Sequence, residues 1–421
     1  MKPLHLIFAV LALSPSVLAQ TGSEHWVSTW AAPQQQPRPP APRPQTAATP
    51  TPPRPQPITS FHNQTLRMIA HTSMGGRRLR IELSNAFGSA PLAIGGAHIA
   101  IRDKESAISV ASDRALMFGG RATAWIPPGA TEISDAVDLD VAPASDLAVS
   151  IYIPGTATAD TVHALGLHTT YISKEGDATR QPLIPEATTT QSFYFLTSVD
   201  VLAPANAAAI ATLGDSITDG ALSTPNTDHS WPAFLARRVA ANGGADIAVV
   251  NQGISGNRIL RDVAGPSALA RFDRDVLAPP GVKWLMILEG INDIGQGTRT
   301  DMPVIDPVNS DDLIAALKQL IERAHGHGIK VIGCTLTPYE GAAYYSEAGE
   351  QIRETVNQWI RSSGAFDAVV DFEAATRDPE HPRQFRPGFN DGDHLHPNDA
   401  GYEAMADAID LSLFGLKTGT K

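Results

Sequence analysis

From residue 207 onward the chain repeats one pattern: a short apolar run, a polar turn, then an amphipathic stretch. The runs are "AAAIATLG", "DIAVVNQG", "VKWLMILEG", "IKVIGCTLTP" and "AFDAVVDFE". Among and behind them lie "SWPAFLARRVAANG", "SDDLIAALKQLIERAHGHG", "EQIRETVNQWIRSSG" and "NDAGYEAMADAIDLSLFG". A run that is apolar at nearly every position suits a strand buried on both faces. An apolar stripe recurring every three to four residues suits a helix. Such alternation predicts right-handed βαβ units, one parallel sheet and helices on both of its faces. In sheets of this kind, ligands bind outside the carboxyl ends of the strands.

Residues 60–204 read differently. "TLRMIAHTS", "RRLRIELSNAF", "HIAIRD", "ATAWIPPG" and "DLAVSIYIPG" alternate with period two between Gly, Pro and Asn. That pattern predicts an antiparallel β-sandwich, jelly-roll-like, with Gly75-Gly76 as a hairpin turn between two of its strands. "HWVSTWAAP" is expected as a strand of either domain. Its alternation places the Trp26 and Trp30 rings on one face, as core in preference to a sugar-stacking platform. The stretch "QQQPRPPAPRPQTAATPTPPRPQP" favours an extended spacer, because proline blocks helices and sheet ladders. Residues 1–19 hold a lysine, an apolar segment and a small-residue end at Ala19, the pattern of an export signal. The expected organisation is thus 1–19 signal peptide, 20–59 N-terminal strand and Pro-rich linker, 60–204 β-sandwich, 205–421 α/β domain. The expected location is secreted or periplasmic.

Charge and cysteine content exclude some functions. Asp and Glu number 44 against 32 Lys and Arg, a formal charge of -12 that repels phosphate backbones, so no nucleic-acid partner is expected. No segment after the leader is long and apolar enough to span a membrane. The single cysteine, Cys334, lies in an apolar run and reads as a buried structural residue; it cannot build a thiolate metal cluster. His325 and His327 in "RAHGHG" flank a helix end without accompanying carboxylates, so they read as C-terminal caps and not as metal ligands.

The polar clusters fall at strand ends. "GDSITDG" follows the first run, "NQGISGNRI" the second, "EGIND" the third, and "DGDHLHPND" follows the fifth. Four clusters at four strand ends converge on one crevice. Ser216 sits at a strand-to-helix turn, where it can present its oxygen beside inward-pointing backbone N–H groups. A plainer role for it is to cap the turn. Gly256 lets backbone approach a ligand. Asn292 offers a side-chain donor, though an Asn there also caps turns. "DGDHLHPND" holds two Asp-x-x-His pairs, Asp391 with His394 and Asp393 with His396, and either frame can orient an imidazole.

In this order, the four blocks resemble the SGNH hydrolase superfamily, also called GDSL esterases and lipases, over roughly residues 207–415. The resemblance implies a three-layer α/β/α domain with a five-stranded parallel sheet. It implies Ser216 as nucleophile and the N–H of Ser216, Gly256 and Asn292 as an oxyanion hole. The family's last block reads Asp-x-x-His-Pro. His396 precedes Pro397, so the resemblance selects Asp393 and His396 and leaves Asp391 and His394 as loop hydrogen-bonders. "WVSTWAAP", "HTSMGGRRLRIELSNAFG" and "GDSITDG" together look like a branch of secreted acylhydrolases or arylesterases with a β-rich N-terminal domain. The Pro-rich insertion departs from that branch. The implied function is a secreted serine esterase that forms an acyl-enzyme without metal or cofactor. Its substrates would be short acyl groups, such as acetyl on plant polysaccharide or oligosaccharide, or small aryl esters. Two alternatives stand beside it, a lysophospholipase-like lipid acylhydrolase and a carbohydrate-binding protein with a degenerate hydrolase domain. The sequence does not speak to oligomeric state.

Overall fold

The computed structural model of the protein describes residues 24–37, 58–301, 304 and 306–416. The expected export signal and most of the Pro-rich linker lie outside the described residues. The five apolar runs form strands Ala208–Gly214, Ile247–Gly253, Val282–Leu288, Lys330–Cys334 and Ala368–Val370. They pair in parallel in the spatial order second, first, third, fourth, fifth. The order reverses beside the first strand, which makes its carboxyl end the place where a crevice opens.

Helices Trp231–Ala241, Ser310–His325, Glu347–Ser362 and Asp399–Asp407 cover this sheet. Their apolar stripes are buried, as with Leu313, Leu317, Leu320 and Ile321 on the second of them. Side chains of Asn309, Ser346 and Asn398 cap the N-termini of the last three by accepting backbone N–H bonds, which starts each helix where the sequence turns apolar. The last helix stops at Asp407, short of the expected extent. Asp410 accepts from Ser412 N–H and starts a separate turn, Leu411–Phe414. The expected cap role fits His327, whose Nδ1 lies 2.9 Å from the carbonyl of Arg323. His325 instead bonds Asp367 at 2.9 Å, tying the helix end to the sheet. Cys334 is buried, and burial pushes its thiol pKa up.

The N-terminal region is antiparallel, in one sheet of five strands and another of six. Two expectations need correction. Gly75-Gly76 does not close a hairpin. Ser60–His71 lies in the six-stranded sheet and Gly76–Ser84 in the five-stranded one, so the turn crosses between sheets. A Cβ on Gly75 would lie 2.4 Å from the Val141 carbonyl oxygen, which is why this corner is glycine. Nor do the two tryptophans share a face. The strand His25–Ala31 pairs with Leu196–Ala203, Trp26 opposite Leu202 and Trp30 opposite Val199, with a bulge between Ser28 and Trp30. The extra residue reverses the alternation. Trp30 is buried edge-on against Phe193, while the Arg80 guanidinium covers the half-buried Trp26 ring.

That first strand also settles how the two regions meet. Ser28 donates its N–H to the Pro280 carbonyl at 2.9 Å, and Val249 N–H donates to Ser73 Oγ at 3.0 Å. Ala207, Ala209 and Ala248 of the α/β region pack into the same buried cluster as Val27, Leu79 and Val201. The β-rich core therefore continues into the flank of the parallel sheet. Among the described residues no helix is long and apolar enough to cross a membrane.

Candidate active site

The first strand ends at Gly214, and a single helical turn, Ser216–Asp219, begins at once. Asp215 caps this turn through its own side chain, which accepts from Ile217 N–H at 2.9 Å. The turn presses against the end of the second strand, where a Cβ on Gly253 would lie 2.2 Å from Asp219 N. Glycine there lets two backbones touch. Ser216 thereby sits at the crevice with its Oγ turned toward the loop 390–398.

His396 Nε2 lies 2.7 Å from Ser216 Oγ, and His396 Nδ1 lies 2.6 Å from Asp393 Oδ2. The structure thus brings together the Asp393–His396 frame. Asp391 accepts from Asn398 Nδ2 at 2.8 Å, and His394 N–H donates to Asn390 Oδ1, so both serve the shape of the loop. Asp393 Oδ1 accepts from the N–H of Leu395, the N–H of His396 and the Asn390 amide. Burial works against the Asp393 charge, but these bonds and that from the His396 ring outweigh it and hold the carboxyl far below the usual carboxylate range.

The cleft beside Ser216 has a volume of about 600 Å³ and includes Gly256, Arg258, Asn292, Tyr344 and His396 in its lining. Gly256 has φ +78°, which suits glycine. Asn292 donates from Nδ2 to the Asn257 carbonyl at 3.1 Å and accepts at Oδ1 from the Tyr344 hydroxyl at 3.2 Å. Those two bonds fix its amide, and a second Nδ2–H remains at the cleft that Asn292 lines.

Several residues that hold this arrangement escaped the sequence reading. The fully buried Arg271 donates to the carbonyls of Gly214 and Gln252 and to Asn257 Oδ1, joining two strand ends to the loop that carries Gly256. Tyr344 lies in a connecting stretch without periodicity. Beneath Ser216 sits a group of buried acids. Burial raises Asp215 to about 7 against the opposing bond from Ile217 N–H, with Asp293 and Asp219 adding to the rise. Burial raises Asp293 to about 6 despite N–H bonds from Ile259 and Leu260. Glu289 is pushed well above its usual range by burial and then by Asp215. All of these acids lie inside the quoted "GDSITDG" and "EGIND" blocks, but nothing in one sequence separates a buried acid from a turn former.

Residues 212–404 match the model of the GDSL-like Lipase/Acylhydrolase family. This segment is a GDSL-like hydrolase domain. Similar solved structures include an acetylxylan esterase from Geobacillus stearothermophilus, 25% identical, covering 50% of this chain and 95% of its own, with a TM-score of 0.39. They also include a GDSL-like lipase from Bacteroides thetaiotaomicron, 20% identical, covering 49% of this chain and 88% of its own, at 0.38. A third is an α/β hydrolase from the metagenome of Lake Arreo, Spain, 21% identical, covering 50% and 96%, at 0.39. No curated protein matches the chain. The three-layer hydrolase domain and the antiparallel region before it are the architecture expected from the sequence.

Proposed function

We propose that the protein hydrolyses carboxylic esters of short acyl groups, such as acetyl on carbohydrate or small aryl esters, through an acyl-enzyme on Ser216. The observation that carries this reading is the unbroken line from Ser216 Oγ to His396 Nε2 at 2.7 Å and from His396 Nδ1 to Asp393 at 2.6 Å. His396 takes the serine proton as Oγ attacks the ester carbonyl. Asp393, held ionised by its donors, keeps the imidazole in the tautomer whose Nε2 is free to accept. The oxyanion forms against the N–H groups of Ser216 and Gly256 and the Asn292 amide, where one such donor is typically worth ~2.7–4 kcal/mol of barrier. His396 then returns its proton to the leaving alcohol, and water releases the acyl group by the same route. None of these steps requires a metal or an organic cofactor.

Ser255, Arg258, Asn292 and Gln296 line the cleft and offer hydrogen-bond partners to a polar alcohol, beside Ala221, Val263, Tyr344 and Leu395. The test is Ser216→Ala on a chromogenic acetyl ester. A kcat lower by roughly 10⁴-fold or more is expected, with an unchanged melting temperature. Turnover near wild type would reject the nucleophile. An acyl-length series separates acetyl from lipid substrates, and activity rising with chain length would favour the lipid reading. The proposal includes export, which rests on residues 1–19 alone. Sequencing the mature N-terminus tests it, with Gln20 expected first.

A further inference from the structure

A second histidine–aspartate pair lies behind the nucleophile turn, and its histidine comes from the β-rich region. His163 belongs to the strand Val162–His163, and its ring is stacked on Phe193. Both His163 and Asp219 are buried, each 5% exposed. His163 Nε2 lies 3.1 Å from Asp219 Oδ1 and 3.1 Å from the Leu165 carbonyl oxygen, and Nδ1 lies 3.0 Å from the Pro33 carbonyl oxygen. Carbonyls and carboxylates only accept, so both ring nitrogens must carry a proton. Asp219 is the last residue of the turn that begins with Ser216. Its other oxygen accepts from Ser255 N–H at 2.8 Å and Ser255 Oγ at 2.6 Å. Ser255 directly precedes Gly256.

The geometry points to His163 as a positioning residue, an imidazolium of the β-rich region that keeps its charge at neutral pH and sets the oxyanion loop through Asp219 and Ser255. This rests on the reading of Gly256 and Asn292 as oxyanion donors. It assigns the β-rich region a part in the chemistry of the crevice without contact with substrate. The charge balance agrees. Burial opposes the charge on the ring, but Asp219 and the two carbonyls outweigh it, so the His163 pKa is raised above the usual imidazole value. Asp219 is the charged side chain on the ring itself. The cavity that His163 also lines is bordered by His71, His168, Asp228, His229 and Arg237. Because the folded pKa is raised, the stabilising hold is complete below the ordinary imidazole range and is lost as pH rises through the folded value. An alkaline decline in kcat follows.

The test uses the full chain. Nitrogen-15 spectra at pH 8 are expected to include an imidazole with both nitrogens protonated that is absent from His163→Gln. His163→Gln and Asp219→Asn are each expected to lower kcat ~10- to 100-fold, the scale of a misplacement near 1 Å. KM should stay within about twofold, and the double variant should be no worse than either single, since both act on one link. The alkaline decline should disappear in His163→Gln. If that variant does not fold, Ser255→Ala removes one donor from the same link and leaves the seam intact, and it should lower kcat in the same direction. A neutral His163 ring at pH 8 overturns the proposal. So does a variant that loses melting temperature while keeping wild-type kcat. Failure of the esterase reading shows separately, as turnover retained by Ser216→Ala, while the spectrum of His163 stands on its own.

Discussion

Ser216 lies between two histidine–aspartate pairs set in opposite surroundings. At the crevice mouth the His396 and Asp393 side chains are 18% and 39% exposed, and His396 Nε2 meets a hydroxyl that both donates and accepts. At the seam the His163 and Asp219 side chains are 6% and 3% exposed, and the ring meets acceptors only. The residue types are the same, but the proton behaviour differs. A histidine that takes and returns a proton in each cycle needs one nitrogen facing a group that changes role. A histidine enclosed by acceptors keeps both protons and holds position. Partners decide the use of an imidazole more than its proximity to the site does.

The sharpest way to break the comparison is at the mouth. His396→Ala should lower kcat by roughly 10⁴-fold or more. His394→Ala, two residues away, should stay within about tenfold, since its backbone N–H makes the loop bond to Asn390. Kinetics with one chromogenic ester measures both, and a dead His394 variant would move the catalytic frame. Asp393→Asn comes next, at roughly 10²- to 10⁴-fold in kcat, because the amide favours the wrong tautomer. Asp393 also sets an acid limit. Its folded pKa is depressed, so its contribution to stability is present above the ordinary aspartate range and is lost as pH falls below it. The side chain is more than a third exposed, so solvent screening keeps that contribution modest.

The seam is tested by removing its partner. A chain of residues 205–421 uncovers Ala207, Ala209 and Ala248 and loses His163. It should melt lower, aggregate more and retain a tenth or less of the wild-type kcat, the first from exposed apolar surface and the last from a slack oxyanion loop. A soluble, fully active fragment would make the β-rich region an independent module and revive the carbohydrate-binding alternative.

The contrast also explains what the sequence reveals. The parallel strands are legible because each is an apolar run, and the crevice is legible because its polar blocks follow those runs. The frame in "DGDHLHPND" is not settled by spacing alone. The proline after His396 selects it through resemblance, and His396 Nε2 lies 2.7 Å from Ser216 Oγ. Trp26 and Trp30 mislead because a bulge leaves no mark in the pattern that it reverses. His163 carries no local signal at all. It lies 56 residues before its partner Asp219, and only the packing of two regions joins them.

The smallest expected effect concerns Glu289, buried beneath the crevice between the two pairs. Neither of its carboxyl oxygens has a side-chain hydrogen-bond donor, and the Arg271 guanidinium stands 3.7 Å away. Arg271 already directs its N–H groups to Gly214, Gln252, Asn257 and the carboxylate of Asp275. Burial and the neighbouring Asp215 raise the Glu289 pKa, so the folded chain binds this proton more tightly than the unfolded chain does. Stability should therefore fall as pH rises from the ordinary glutamate range, ~4.3, through the folded value. Glu289→Gln removes that slope while keeping the shape. Relative to wild type it should melt higher at pH 8 than at pH 5, a shift of about 1 °C per kcal/mol given an unfolding entropy of ~2.1 cal/mol/K per residue. Asp215 and Asp293 remain, so the variant's slope becomes shallower without vanishing. If the Arg271 contact instead held Glu289 ionised, the same variant would lose stability, and lose more at pH 8 than at pH 5. Melting curves at the two pH values distinguish a neutral acid beneath Ser216 from a buried ion pair.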